Sequence, residues 1–422
     1  MTQTETKKMP RIEQRMDHLS KCLKCGKCLS VCPIYAEMKT EQTAPRGRVA
    51  LVEQAFKGNI DLSDIFKKRL SFCLNCKACV EACPSGVRGD DLILLARAEL
   101  VDRGNITYIE RFIFRFLLKR GRLLPPVAKW ATFLGTLANK ILPENNPLTL
   151  FLPFPDGWKE RIYPKIAKET VMDKYPEVVK VANPKMRVGY FVGCGTNLVY
   201  PNVADAVIKV LTHNDIEVAI PHEQICCGTS IYNSGDFESG KEYAQRNLEV
   251  FDKLNIDAIV VACASGGLTL KKEYPELLKA GKFKVPVYDI SEFLIDQIDL
   301  KKDFKKGQIY KVTYHDPCHL NRGQGIKDQP RKLLDLLPNV EFYEMDLADR
   351  CCGGGGSFNL KYYPTSKEIM KRKLESINKI EVEILASGCP GCMMRFEETF
   401  LQKKLPIKVK HPIELLCEAY GL

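Results

Sequence analysis

The chain has 422 residues, 45% hydrophobic and 27% charged, a balance that excludes a disordered or fibrous protein and a length that implies two to four domains. Its 63 Lys and Arg against 52 Asp and Glu leave a net charge of +11, which favours an anionic surface as partner where that charge is localised. The 18 cysteines, about 4% of the chain, fall short of the roughly 8–10% of a disulfide scaffold, and Met1 to Ser20 lacks the apolar core of a signal peptide, so a reducing cytoplasm is expected, where clustered thiols serve as metal ligands.

In chain order, residues 1–105 come first and carry eight cysteines in two sets, Cys22-x2-Cys25-x2-Cys28-x3-Cys32-Pro33 and Cys73-x2-Cys76-x2-Cys79-x3-Cys83-Pro84. This is the bacterial ferredoxin spacing. The x2 steps wrap a tight loop around one cube, while the fourth cysteine runs onto a helix and reaches the other cube. Cys22, Cys25, Cys28 and Cys83 are therefore expected to hold one [4Fe–4S] cubane, and Cys73, Cys76, Cys79 and Cys32 a second. Structural zinc favours paired CxxC and closed four-ligand sites, a poor match to a triple run followed by x3-Cys-Pro. The rest of this region reads as mostly helical. Pro45 to Arg48 precede a helix over Val49–Phe56, and Asp90 and Asp91 are placed to cap one over Leu92–Asp102 that stops at Gly104.

Residues 106–184 form a Pro-punctuated connector. From Tyr108 to Leu142 seven basic residues stand against one acidic residue, with Phe112, Phe114, Phe116, Trp130 and Phe133 interleaved. Such a stretch suits an anionic membrane surface or packing against a neighbouring domain. It does not suit a membrane span: the apolar run Trp130–Asn139 has 10 residues against about 20 needed.

Residues 185–305 and 306–422 are an internal duplication. Cys194 to Cys318 is 124 residues, Cys226 to Cys351 is 125 and Cys263 to Cys389 is 126, offsets too constant for chance. In each copy a strand (187–192, 311–314) runs into the first cysteine and a helix follows (203–211, 330–337). A second strand (217–220, 341–344) leads to Cys-Cys-Gly, and a longer helix leads to a third strand (258–262, 382–386) and the last cysteines. Alternating strands and helices predict small α/β units with a parallel sheet, whose ligands collect at the carboxyl ends of the strands. The expected fold is thus α/β overall, with a mostly α-helical ferredoxin-like domain followed by two small α/β domains.

The second copy reads Cys318-x32-Cys351-Cys352-Gly353-x35-Cys389-x2-Cys392, and the first reads Cys194-x31-Cys226-Cys227-Gly228-x34-Cys263-x2-Gly266. Adjacent cysteines rarely bond each other, whereas two adjacent thiolates can touch neighbouring irons. Gly193-x-Gly195-x-x-Leu198 imitates a dinucleotide motif without its third glycine, and Gly353 to Gly356 lack the Lys-Ser/Thr of a phosphate loop. His315 and His319 flank Cys318, and His411 lies near the end. Because sequence neighbours do not face one another, supporting roles beside the thiols are expected of them rather than a Cys–His nucleophile. Cys417, on an apolar stretch, reads as a buried small hydrophobe.

The order of an eight-cysteine ferredoxin module and two Cys-Cys-Gly repeats resembles the family of heterodisulfide reductase catalytic subunits and their relatives. Ala44-Pro45-Arg46-Gly47-Arg48 and Cys83-Pro84-Ser85-Gly86-Val87-Arg88 look most like glycolate oxidase iron–sulfur subunits. The resemblance implies a non-cubane [4Fe–4S] cluster on Cys318, Cys351, Cys352, Cys389 and Cys392. It carries only partly onto Cys194, Cys226, Cys227 and Cys263, because Gly266 replaces a fifth cysteine, so a cluster there is left open. It implies an electron-transfer subunit that receives electrons from a FAD-containing 2-hydroxy-acid dehydrogenase subunit acting on glycolate or lactate and passes them to a quinone or other carrier. Its expected place is the cytoplasm or the inner face of the membrane. A catalytic heterodisulfide reductase is the alternative; a zinc or nucleic-acid-binding module has only charge and CxxC in its favour, and no nucleic-acid partner is expected.

Overall fold

The computed structural model describes residues 9–104, 111–119, 124–141 and 157–422. Two helices dominate the first module, α1 (Pro45–Phe56) and α2 (Gly89–Asp102). Proline at the first helical position starts α1, where its missing N–H costs no bond. The basic connector supplies α3 (Leu124–Ile141), and among the described residues no helix is long and apolar enough to cross a membrane.

Two parallel sheets follow, as the alternation of elements predicts. The first contains β1 (Val178–Val179), β2 (Met186–Phe191), β3 (Ile216–Ala219), β4 (Ala258–Val261) and β5 (Val287–Asp289), in the order β1-β3-β2-β4-β5. The second contains β6 (Tyr310–Tyr314), β7 (Val340–Phe342), β8 (Ile384–Ala386) and β9 (Lys408–Lys410), in the order β7-β6-β8-β9. Apart from the short antiparallel β1, strand for strand the orders coincide, so the duplication read from cysteine offsets is a duplication of topology.

Parallel strands are covered on both faces, and alternation along each strand decides what covers them. Val188, Tyr190, Val218 and Val260 share one core with Val312, Tyr314 and Ile384 of the second sheet. Phe191, Ala219, Ile259 and Val261 point the other way, into a core shared with Leu92 and Leu95 of α2. The first repeat is thus sandwiched between the ferredoxin module and the second repeat.

Asp90 and Asp91 do not cap α2: Arg88 holds the cap position without a side-chain bond. Both carboxylates turn instead to cations. Lys77 Nζ donates to Asp90 Oδ2 at 2.6 Å and lies 3.3 Å from Glu273 of the first repeat, while Arg88 reaches both aspartates. Lys77, Asp90 and Glu273 are all buried, and a buried ammonium needs such partners more than a helix end needs a cap. Burial acts to raise the Asp90 carboxyl, but Lys77 and Arg88 hold it down, to about 2.

Replacing Lys77 by Met strands the buried Glu273 carboxylate and leaves Asp90 to Arg88 alone, so Lys77→Met is expected to lower the unfolding free energy by about 3 kcal/mol. Lys119→Met, which breaks the exposed pair with Glu242, is expected to cost less than about 1 kcal/mol. Denaturant titration of anaerobic protein distinguishes the two.

Candidate iron–sulfur centre

In the ferredoxin module each short loop turns through left-handed residues, Lys24 and Gly26 in the first and Asn75 and Lys77 in the second. This brings the three thiols of each loop near one another. Cys28 has Cys22 and Cys25 as thiol neighbours. Cys32, pushed up to about 11 by burial, faces Cys73 and Cys76 of the other loop, and Cys79 faces Cys73, Cys76 and Cys32. The fourth cysteine of the first motif therefore stands among the first three of the second. Cys32 also caps the helix Pro33–Met38, its Sγ accepting from Tyr35 N, and Cys83 Sγ accepts from Val87 N at 3.3 Å.

In the repeats the first and fourth cysteines start helices. These are α4 (Cys194–Leu198) and, just after Cys263, α5 (Ala264–Leu268) in the first copy, with α6 (Cys318–Gln324) and α7 (Pro390–Lys403) in the second. The Cys-Cys pairs lie farther from their strands, on loops of six and eight residues after β3 and β7. Each pair is held alike: Gly228 and Gly353 take left-handed φ of 84° and 75°, and their N–H groups donate to Cys226 Sγ and Cys351 Sγ, both at 3.4 Å.

The two sets do not form separate sites. α5 packs on α6 and α4 on α7, so each repeat's first-cysteine helix lies against the other's fourth-cysteine helix, a pseudo-twofold exchange. Gly195 serves this packing rather than a pyrophosphate: a Cβ there would lie 2.9 Å from Pro390 Cβ. As a result all nine repeat cysteines line one cavity of about 290 Å³, together with Cys73 and Asn75 of the ferredoxin module. Cys194 meets Cys226, Cys318 meets Cys351, Cys352 lies 3.5 Å from Cys392, and the equivalent residues Cys263 and Cys389 touch across the axis. Cys76 reaches over from the ferredoxin module to Cys351, whose hydrogen bond holds the Cys76 thiol below its ordinary value. Cys417 is buried among the apolar residues of the shared core.

Sulfur donors of this kind select iron–sulfur clusters, zinc or copper(I). The surrounding charge fits an anionic occupant. Arg97 donates to the carbonyls of Leu70, Cys73 and Asn233, Arg48 is 2% exposed beside Cys32 and Cys76, and Arg322 lies beside Cys76 and Cys318. Arg48 and Arg97 face backbone carbonyls rather than carboxylates, which suits a negative charge nearby, whereas Arg322 is already paired with Glu81 and Asp349. Sequence reasoning missed Arg97 and Arg322, which lie outside every motif; Arg48 belonged to the Pro-Arg-Gly-Arg segment. His319 is a clasp between modules, with Nδ1 3.0 Å from Ser265 Oγ of the first repeat and Nε2 3.0 Å from Asn75 O.

Comparison with known proteins agrees with this architecture. A 4Fe-4S dicluster domain matches residues 18–87 and a cysteine-rich domain matches 188–271 and 312–397. The probable glycolate oxidase iron-sulfur subunit of Bacillus subtilis (strain 168) is 30% identical over 99% of both chains. The chain belongs to this family of iron–sulfur subunits. It is also similar to one of the subunits of the fumarate reductase (CoM/CoB) of Methanothermobacter marburgensis, 29% identical over 99% of this chain and 77% of that one. A subunit of the dihydromethanophenazine:CoB–CoM heterodisulfide reductase of Methanosarcina mazei is 26% identical over 99% of both.

The cavity wall separates two glycine substitutions. Gly195→Ala is expected to lower stability by about 1–3 kcal/mol through overpacking on Pro390. Gly266→Cys is expected to leave the thermal midpoint unchanged or raised, because its Cβ meets nothing closer than 3.6 Å. Parallel thermal melts check both.

Proposed function

We propose that this chain is the iron–sulfur electron-transfer subunit of a multi-subunit 2-hydroxy-acid oxidoreductase. In this reading a FAD-containing partner subunit oxidises glycolate or lactate, and this chain delivers the electrons to a quinone or another carrier. The observation that carries the reading is the contact of Cys76 with Cys351, which joins the ferredoxin thiols to the cavity thiols while Cys25 stays exposed in the first motif. Clusters bound there supply one-electron storage with little reorganisation. The residues do the rest: the left-handed loops aim the thiols, Arg48 and Arg97 offset negative charge, and Cys351 and Cys352 are buried at the junction. The names of the relatives from Bacillus subtilis and Oceanobacillus iheyensis, the latter a lactate utilization protein A 31% identical over 55% of this chain and 96% of that one, support the substrate class.

In this proposal Cys22, Cys25, Cys28 and Cys83 hold one cubane and Cys73, Cys76, Cys79 and Cys32 the other. Cys318, Cys351, Cys352, Cys389 and Cys392 hold a non-cubane cluster. Cys194, Cys226, Cys227 and Cys263, one thiol short, hold a different cluster or a structural remnant of one. Anaerobic protein is then expected to carry about 12 to 16 irons with matching sulfide, from three or four four-iron clusters. Tightly bound zinc with fewer than four irons would overturn the assignment. Cys389→Ser and Cys263→Ser are expected to remove different spectroscopic signals; loss of the same non-cubane signal from both would make the repeats equivalent. Bleaching of the visible iron–sulfur band by glycolate or lactate should require the flavoprotein, whereas disulfide turnover by this chain alone would favour the reductase reading.

A second observation concerns location. Arg115 and Lys119 of the connector pair with Asp236 and Glu242 of the first repeat, so these cations dock the connector rather than face outward. Helix α3 lies with Gly135 toward Tyr163 and turns Val127, Trp130, Phe133, Leu134 and Leu137 to solvent. We propose that this apolar stripe, on a connector with excess positive charge, rests on an anionic membrane surface. Trp130→Ser with Leu134→Ser is expected to weaken co-sedimentation with phosphatidylserine vesicles by at least about tenfold, given about 1.5–3 kcal/mol per buried apolar side chain. Unchanged sedimentation would refute the contact, and lost flavoprotein binding would reassign the stripe to that partner.

A further inference from the structure

We propose that His315 supplies a nitrogen ligand to the second repeat's cluster, its Nε2 binding iron beside the Cys352 and Cys392 thiolates. The inference rests on that repeat holding a cluster and names a donor outside the five cysteines.

Among the described residues, His315, Cys352 and Cys392 form the one set of three metal-binding side chains whose ligand atoms all lie within 4.8 Å of one another. Donors this close can bind one iron or adjacent irons of a single cluster, and the two Sγ atoms are already 3.5 Å apart. The imidazole is 1% exposed and fixed edge-on against Phe396, with ring centroids 4.9 Å apart. Nδ1 lies 3.1 Å from Ala348 O. A carbonyl only accepts, so Nδ1 carries the proton. That leaves Nε2 with a bare lone pair, buried without a nitrogen or oxygen partner and facing the Cys352 thiol. A thiol is a weak donor for a buried acceptor, and Nδ1–H on a backbone carbonyl is the arrangement that orients a metal-binding imidazole.

The duplication supplies an independent argument. Three residues before its first cysteine the second repeat has His315, where the first has Phe191; at its last ligand position it has Cys392, where the first has Gly266. The two donors that flank Cys352 are present together in one copy and missing together in the other. His319 cannot substitute for His315, because both of its nitrogens are engaged with Ser265 and Asn75.

The test uses the full chain, grown with ¹⁵N-histidine and purified anaerobically. The signal to follow is the paramagnetic signal that Cys389→Ser removes, measured by electron spin-echo modulation. A directly bound nitrogen is expected, changing from the ¹⁴N to the ¹⁵N pattern on labelling. The coupling should vanish in His315→Phe, which copies the first repeat, and persist in His319→Gln. Unaltered ferredoxin-cluster signals in His315→Phe would show that the variant is folded. The measurement on unsubstituted protein decides even without a stable variant. A cluster signal with no histidine nitrogen, or a coupling that survives His315→Phe, overturns the ligand and leaves the cluster reading intact. Absence of any cluster signal dependent on Cys389 overturns both.

Discussion

Everything in this molecule depends on concentrating thiols and neutralising the charge they carry at a largely buried place, where Cys194 alone of the nine repeat cysteines is exposed. Soft sulfur donors can be gathered only by bringing loops from distant chain segments together, and thiolates buried together repel one another and lose hydration. The protein meets both demands at the junction of its three modules. Cys73, Cys76 and Asn75 enter from the ferredoxin side and the nine repeat cysteines from the other two, while Arg48, Arg97 and Arg322 bring positive charge to the seam. The Lys77–Asp90–Glu273 group is the mechanical counterpart of that seam, fastening the second cysteine loop to the first repeat.

Duplication explains how one cavity can present two related but unequal walls. Equivalent glycines fix equivalent Cys-Cys pairs through the same N–H to Sγ bond, so the backbone frame has been kept. The side chains around it have diverged. Where the second repeat has Cys392, Gly391 and Gly354, the first has Gly266, Ser265 and Thr229, and Thr229 Oγ1 lies 3.1 Å from Cys227 Sγ. One wall is richer in soft donors and the other in hydroxyls.

The ferredoxin spacing, the duplication, the order of strands and helices within each repeat and the identity of the thiols are all legible along the chain. These are local properties: a triple x2 run can curl in only a few ways, and a strand ending in cysteine followed by a helix repeats its own geometry wherever it recurs. Which thiols share a cavity is settled only by the packing of the modules. Cys263 touching Cys389, Cys76 touching Cys351 and Gly195 making room for Pro390 all come from the way distant segments meet, the first and last from the exchange of helices across the pseudo-twofold axis. That exchange depends on the two sheets sharing one core through Val188, Tyr190, Val312 and Tyr314, and no residue spacing encodes it. The same holds for Asp90 and Asp91, whose sequence position suggests a cap and whose neighbours Lys77 and Arg88 demand ion pairs instead. It holds also for Arg97, placed beside Cys73 by α2 from 24 residues away. Short-range chemistry is written along the chain, whereas the partners of a buried charge are set by whatever the fold packs against it.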